Sequence, residues 1–209
     1  MIKYLIFDFD GTIVDSASLY LNLCNELAEQ LNKPKIDMDT IRSMSSMTIK
    51  ERCKKMGIPL YKLPSLSLII QDKIKHHVDK IQWMDGMEEV LYKLKNKGYK
   101  LLMISSNSVQ NINHFLKSKN ADIFEDIYTS KGLFDKSKSI NKLLKKRHLK
   151  KEEVIYIGDE YRDIIACKKS RIKIISVTWG YDSKDLLLSR NPDYIVDSPS
   201  ELYNLILEL

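Results

Sequence analysis

The sequence contains no apolar run approaching the roughly 18 residues that a bilayer-spanning helix needs, so no membrane segment is expected. No secretory leader is expected either, because Met1 opens directly onto a strand-like stretch that already carries an acidic pair. Cysteine is sparse: Cys24, Cys53 and Cys167 are odd in number, far apart and never in a CxxC spacing. Neither a disulfide framework nor a zinc site is suggested, and the reducing cytoplasm is the expected setting. His76, His77, His114 and His148 form no metal-binding pattern and read as solvated or partly packed side chains. The net charge of +6 comes mostly from lysines such as Lys145, Lys146, Lys150 and Lys151, with no aromatic-interleaved basic motif beside them. They read as solvated helix faces, and nucleic acid is not an expected partner. What remains is a 209-residue chain, 44% hydrophobic and 30% charged, long enough for one core with a smaller appended unit.

The informative stretch is Ile2 to Thr12, Ile-Lys-Tyr-Leu-Ile-Phe-Asp-Phe-Asp-Gly-Thr. It reads as a buried strand ending on two carboxylates. Side chains alternate faces along a strand, so Asp8 and Asp10 point the same way if the strand runs straight through. Like charges at the end of an apolar strand are costly unless a cation or a proton separates them. Gly11 allows a tight turn there, and the Thr12 hydroxyl can pin it.

Further along, Leu19, Leu23, Leu27 and Leu31 recur at helical spacing after the candidate N-cap Ser16. Two short helices are expected within residues 37 to 57, and a longer one from about Ser65 to Lys80. No strand is expected between residues 15 and 82. Beyond Asp85-Gly86 the pattern alternates. Strands at Lys100 to Ile104, Ile127-Tyr128, Val154 to Ile157, Ile172 to Val177 and Tyr194 to Val196 are separated by helices. The last helix opens with the capping box Ser198-Pro199-Ser200-Glu201. Alternation of this kind predicts an α/β fold with a doubly wound parallel sheet, Rossmann-like, into which an all-helical unit is inserted. The expected division is a core of residues 1–14 and 83–209 and a helical cap of residues 15–82. Ligands of such sheets sit beyond the carboxyl ends of the strands. Asp8 and Asp10, then Ser105, then Asp159 fall at those ends.

Asp8-Phe9-Asp10-Gly11-Thr12 matches the DxDGT motif of the haloacid dehalogenase-like hydrolases, and the chain resembles that superfamily over essentially its whole length. Ser105 closes a hydrophobic strand as the family's second motif does, and Lys136 lies in the loop of the family's lysine. Gly158-Asp159-Glu160-Tyr161-Arg162-Asp163 resembles the acidic GDxxxD motif. The helical block looks like the small cap of phosphoglycolate phosphatase-like members. The resemblance implies a Mg²⁺-dependent phosphatase acting on a small phosphorylated metabolite.

It also implies roles. Asp8 would be the nucleophile, forming an aspartyl-phosphate, and Asp10 the general acid and base. Asp8, Asp159 and the Asp10 carbonyl would hold Mg²⁺, which takes hard oxygen ligands. Ser105 and Lys136 would bind phosphoryl oxygens, while Asp163 would hold a metal-bound water or orient Lys136. Ser106 and Asn107 compete with Ser105, and Lys138 and Lys131 compete with Lys136. Arg42, Lys50 and Arg52 could meet a substrate anion or be solvated. A phosphosugar mutase of the β-phosphoglucomutase type would use the same residues, and a catalytically silent binding protein would keep only the fold. Haloacid dehalogenation is disfavoured by the acid/base group at Asp10.

Overall fold

The computed structural model describes residues 1–30, 33–130 and 136–209, so Leu31 and Lys131, both weighed above, lie outside the described residues. Its centre is strand β1 (Tyr4–Phe7), an unbroken apolar run because both of its faces are covered. Around it lie β4 (Lys100–Ser105), β5 (Asp126–Thr129), β6 (Val154–Gly158), β7 (Lys173–Val177) and β8 (Tyr194–Val196). They form a six-stranded sheet in the order β5-β4-β1-β6-β7-β8, parallel throughout. Phe7 lies level with Met103 of β4 and Ile157 of β6, which brings the carboxyl ends of three strands to one edge.

Alternation along each strand sorts the core into two layers. Leu5, Phe7, Leu101, Met103, Ile155 and Ile157 face helices α5 (Met87–Asn96), α6 (Val109–Ser118) and α10 (Pro199–Glu208). Ile6, Leu102, Ile104 and Tyr156 face α7 (Lys136–Lys146) and α8 (Tyr161–Ser170). Full burial of a side chain such as Ile6 contributes ~1.5–3 kcal/mol, and a one-residue slip would turn all of them to the wrong layer. The expected doubly wound sheet is what the chain forms.

Between β1 and β4 the chain makes α1 (Ala17–Gln30), α2 (Met38–Ser43), α3 (Ile49–Lys55) and α4 (Leu63–Ile74). Asp37 caps α2 by accepting from the Thr40 N–H at 2.7 Å, and Thr48 with Glu51 forms a capping box on α3. Two differences from the sequence reading stand out. The helix expected to reach Lys80 stops at Ile74, and Val78–Lys80 forms a short 3₁₀ turn. Val78 and Ile81 are both packed into the main core. The second difference is a small antiparallel ladder, β2 (Val14–Asp15) with β3 (Gln82–Trp83), where no strand was expected. Two-residue strands carry too little alternation to be seen in sequence. The helices thus leave and rejoin the sheet at adjacent points.

Candidate active site

Asp8 follows β1 and extends its ladder, its N–H donating to the Ile157 carbonyl at 2.9 Å. The chain then turns back: the Ile13 and Val14 amides both donate to the Phe9 carbonyl, and the Gly11 N–H to that of Val14. Gly11 sits at φ 76°, and a Cβ there would overlap the Asp159 carboxylate, so glycine is required twice over. The Thr12 hydroxyl donates to Asp159 Oδ1 at 2.7 Å, which ties the turn to the end of β6.

Asp8 and Asp10 end up in different surroundings. The Lys136 ammonium, at the start of α7, bonds Asp8 Oδ2 and also Asp163 Oδ1, the latter at 2.5 Å. All three side chains are almost sealed, Lys136 3%, Asp8 5% and Asp163 0% exposed. Burial alone would lower the Lys136 pKa, but the carboxylates of Asp163 and Asp8 outweigh it and hold the pKa above its usual value. Asp10 instead meets neutral donors: the Ser16 hydroxyl at 2.7 Å, the Asn107 amide at 3.0 Å and the Tyr20 hydroxyl at 3.2 Å. Burial pushes its pKa up to about 6, against the pull of those donors and with the Asp8 charge adding to the rise.

Ser105, at the end of β4, is fully buried, and its hydroxyl accepts the Asn107 N–H at 3.1 Å. Ser106 is half-buried and turns its carbonyl to Gln71 of α4 at 2.5 Å. Lys136 is buried in the acidic cluster, whereas Lys138 is exposed. Asp159 is sealed at the end of β6, its oxygens accepting from Thr12 and from the Tyr181 N–H at 2.8 Å. Burial raises its pKa well above the carboxylate range, and the charges of Glu160, Asp8 and Asp163 add to the rise. Burial likewise pushes Asp163 up to about 7, opposed by Lys136. Arg42 and Lys50 are exposed, and Arg52 is committed to other partners.

Several residues here make contacts that the sequence did not assign to them. Ser16 reads in the sequence as a helix cap and Tyr20 stands beside the apolar face of the same helix, yet both hydroxyls address Asp10. Their i, i+4 spacing could have signalled a shared face. Tyr181 donates or accepts at the Ser16 hydroxyl, 2.8 Å away, and Asn107 joins Asp10 to α6. Glu160, pairing with Arg162, also joins the acidic set; burial would raise its pKa, but Arg162 and Lys136 pull it below normal.

Carboxylate oxygens of Asp8, Glu160 and Asp163 lie within 4.8 Å of one another. Counting Asp10 and Asp159, five buried or nearly buried carboxylates stand against the cations Lys136 and Arg162. A hard divalent cation fits such an oxygen-only donor set and would offset the excess negative charge that raises Asp159 and Asp163.

The sequence model of the haloacid dehalogenase-like hydrolases matches residues 5–177. The chain belongs to that family. It is 28% identical to the phosphoglycolate phosphatase of Synechococcus elongatus over 209 residues, covering 98% of this chain and 97% of that one. It is 26% identical to pyrophosphatase PpaX of Listeria monocytogenes over 210 residues, covering 98% and 96%. A predicted phosphatase from Clostridium acetobutylicum has the same fold, with a TM-score of 0.86 at 23% identity over the full length of both chains. This family member is a hydrolase of the phosphatase type. Among the described residues no helix is long and apolar enough to cross a membrane, and all three cysteines are free.

Proposed function

We propose that the protein hydrolyses a small phosphate monoester through an aspartyl-phosphate on Asp8, with Mg²⁺ as cofactor, in the cytoplasm. The observation that carries this reading is the division of labour between two carboxylates on one turn. Asp8 is bonded to the Lys136 ammonium, and Asp10 lies among neutral donors with its pKa pushed up to about 6. That difference suits a nucleophile and a proton carrier.

In the first step an Asp8 oxygen attacks phosphorus, the bond to the leaving oxygen breaks, and Asp10 delivers its proton to that oxygen. In the second, water attacks the same phosphorus while Asp10 takes its proton, and the bond to Asp8 breaks, releasing inorganic phosphate. Lys136 and the Ser105 hydroxyl would meet the phosphoryl oxygens, where fixed donors matter most. Asp163 keeps Lys136 aimed at Asp8. Asp8, Asp159 and the Asp10 carbonyl, with Glu160 and Asp163 beside them, would hold the cation, which supplies charge neutralisation at phosphorus. Residues 15–82 would act as a cap over a core of residues 1–14 and 83–209, and so choose the alcohol that leaves. The similarity to a phosphoglycolate phosphatase and to a pyrophosphatase favours a small substrate with a second anionic group.

The test is turnover on a panel led by phosphoglycolate, pyrophosphate and sugar phosphates. Activity should vanish on chelation, return with Mg²⁺, and fall at least ~10³-fold in Asp8→Asn. Near-normal turnover by that variant would end the mechanism.

A further inference from the structure

Arg52, on α3, has its guanidinium turned inward. Its Nε donates to the Met44 carbonyl at 3.0 Å, and its Nη2 donates to the Ser45 carbonyl at 3.1 Å and to Asp182. Asp182 lies between β7 and α9 (Lys184–Leu188), with its side chain 1% exposed. Its second oxygen accepts the Tyr161 N–H at 2.7 Å, at the first turn of α8. Two further bonds cross the same gap: Ser183 N–H to the Ser45 carbonyl at 3.0 Å, and Ile49 N–H to the Tyr161 hydroxyl at 3.3 Å. Met44, whose carbonyl Arg52 holds, is itself buried.

The loop that Arg52 grips is the one that shapes the site. Tyr181, next to Asp182, gives its N–H to Asp159 and bonds the Ser16 hydroxyl that holds Asp10. Gly180 lies so close to Asp159 that a Cβ would overlap its carboxylate. A shift at Asp182 is therefore felt at Asp159 and Asp10 through a single residue. Asp8 and Asp159 are also sealed in this conformation, so a phosphate ester reaches them only when something over the site lifts. Residues 44–52 are fastened to the site wall by side-chain and single main-chain bonds rather than by a sheet ladder.

We propose that Arg52 and Asp182 form a latch that closes residues 44–52 over the site and seats the 180–183 loop against Asp159, which makes both of them positioning residues. The proposal deepens the phosphatase reading and rests on it. The latch calls for arginine: a planar fork reaches two carbonyls and a carboxylate at once, which a lysine ammonium on its flexible stem does not reproduce. Holding the closed form populated is worth catalytic efficiency, because apparent affinity falls with the competent fraction.

The test uses Asp182→Asn, which keeps an oxygen for Tyr161 but loses the charge, Arg52→Lys, which keeps the charge but loses the fork, and their double variant. Hydrogen exchange of the metal-free proteins should show the Ile49 and Ser183 amides losing protection while amides of β1 and β6 stay protected. With the best substrate and Mg²⁺, each single variant should lose roughly tenfold in kcat/KM, mostly through KM, and the double variant no more than either. Unchanged protection at Ile49 and Ser183 overturns the latch. Protection lost equally across β1 and β6 also overturns it, since the pair would then be serving general stability. The exchange readout needs no substrate, so an inactive wild-type chain would sink the phosphatase reading without being mistaken for failure of the latch.

Discussion

Asp10 shows most plainly what a buried carboxylate costs when it is kept for use. Its pKa rises from 3.8 to about 6 on folding. The folded chain therefore binds that proton more tightly, so the favourable contribution is complete below the unfolded pKa and is lost as pH climbs through the folded one. In Asp10→Asn that loss is absent. Thermal melts in chelator should show the variant gaining on the wild type between about pH 4 and about pH 7, by up to ~3 kcal/mol, while its activity disappears. A constant difference across that range would show that Asp10 is not strained in the way its burial implies. At this scale the sequence was legible where acidic side chains close an apolar strand, as with Asp8, Asp10 and Asp159, which the fold gathers at one edge of the sheet. It was opaque for Ser16, Tyr20 and Asn107, whose hydroxyls and amide serve equally well as caps, apolar faces or turns. Only the fold shows that all three point at one carboxylate.

Among the elements, α7 carries the widest consequence, because its first residue is the lysine bonded to Asp8 and Asp163. Lys136→Met leaves those two carboxylates buried and facing each other. Removing one partner of a buried ionic set costs up to ~3 kcal/mol here, and less in acid, where Asp163, already pushed up to about 7, can take a proton. Melting curves with and without Mg²⁺ should show the cation raising the variant's Tm by more than the wild type's, because it then replaces the missing charge. The helix itself was readable from Ile140, Leu143 and Leu144 on one face. Its contact with β1 was not, since Lys136 and Asp8 meet across 128 positions. The helix end at Ile74 left no mark in the sequence, because Ile74, Val78 and Ile81 keep helical spacing although a 3₁₀ turn follows and all three lie in the core.

For the molecule as a whole, the parallel sheet was written in the order of apolar runs and helical spacings, and its active edge follows from topology alone. The small β2–β3 ladder was not visible, yet it bears on how the chain assembles. β1 must find β4 across the helices α1 to α5, a long loop to close. Once Val14 lies beside Trp83, that excursion is short-circuited and the loop left to close is about fourfold shorter, which lowers the entropic cost by ~1 kcal/mol. Two residue pairs can thus govern the order of events, with the ladder forming ahead of the β1–β4 pairing that positions Asp8. Stopped-flow refolding of Gln82→Gly should then show slower folding with little change in unfolding, a high φ-value at a site remote from the sheet.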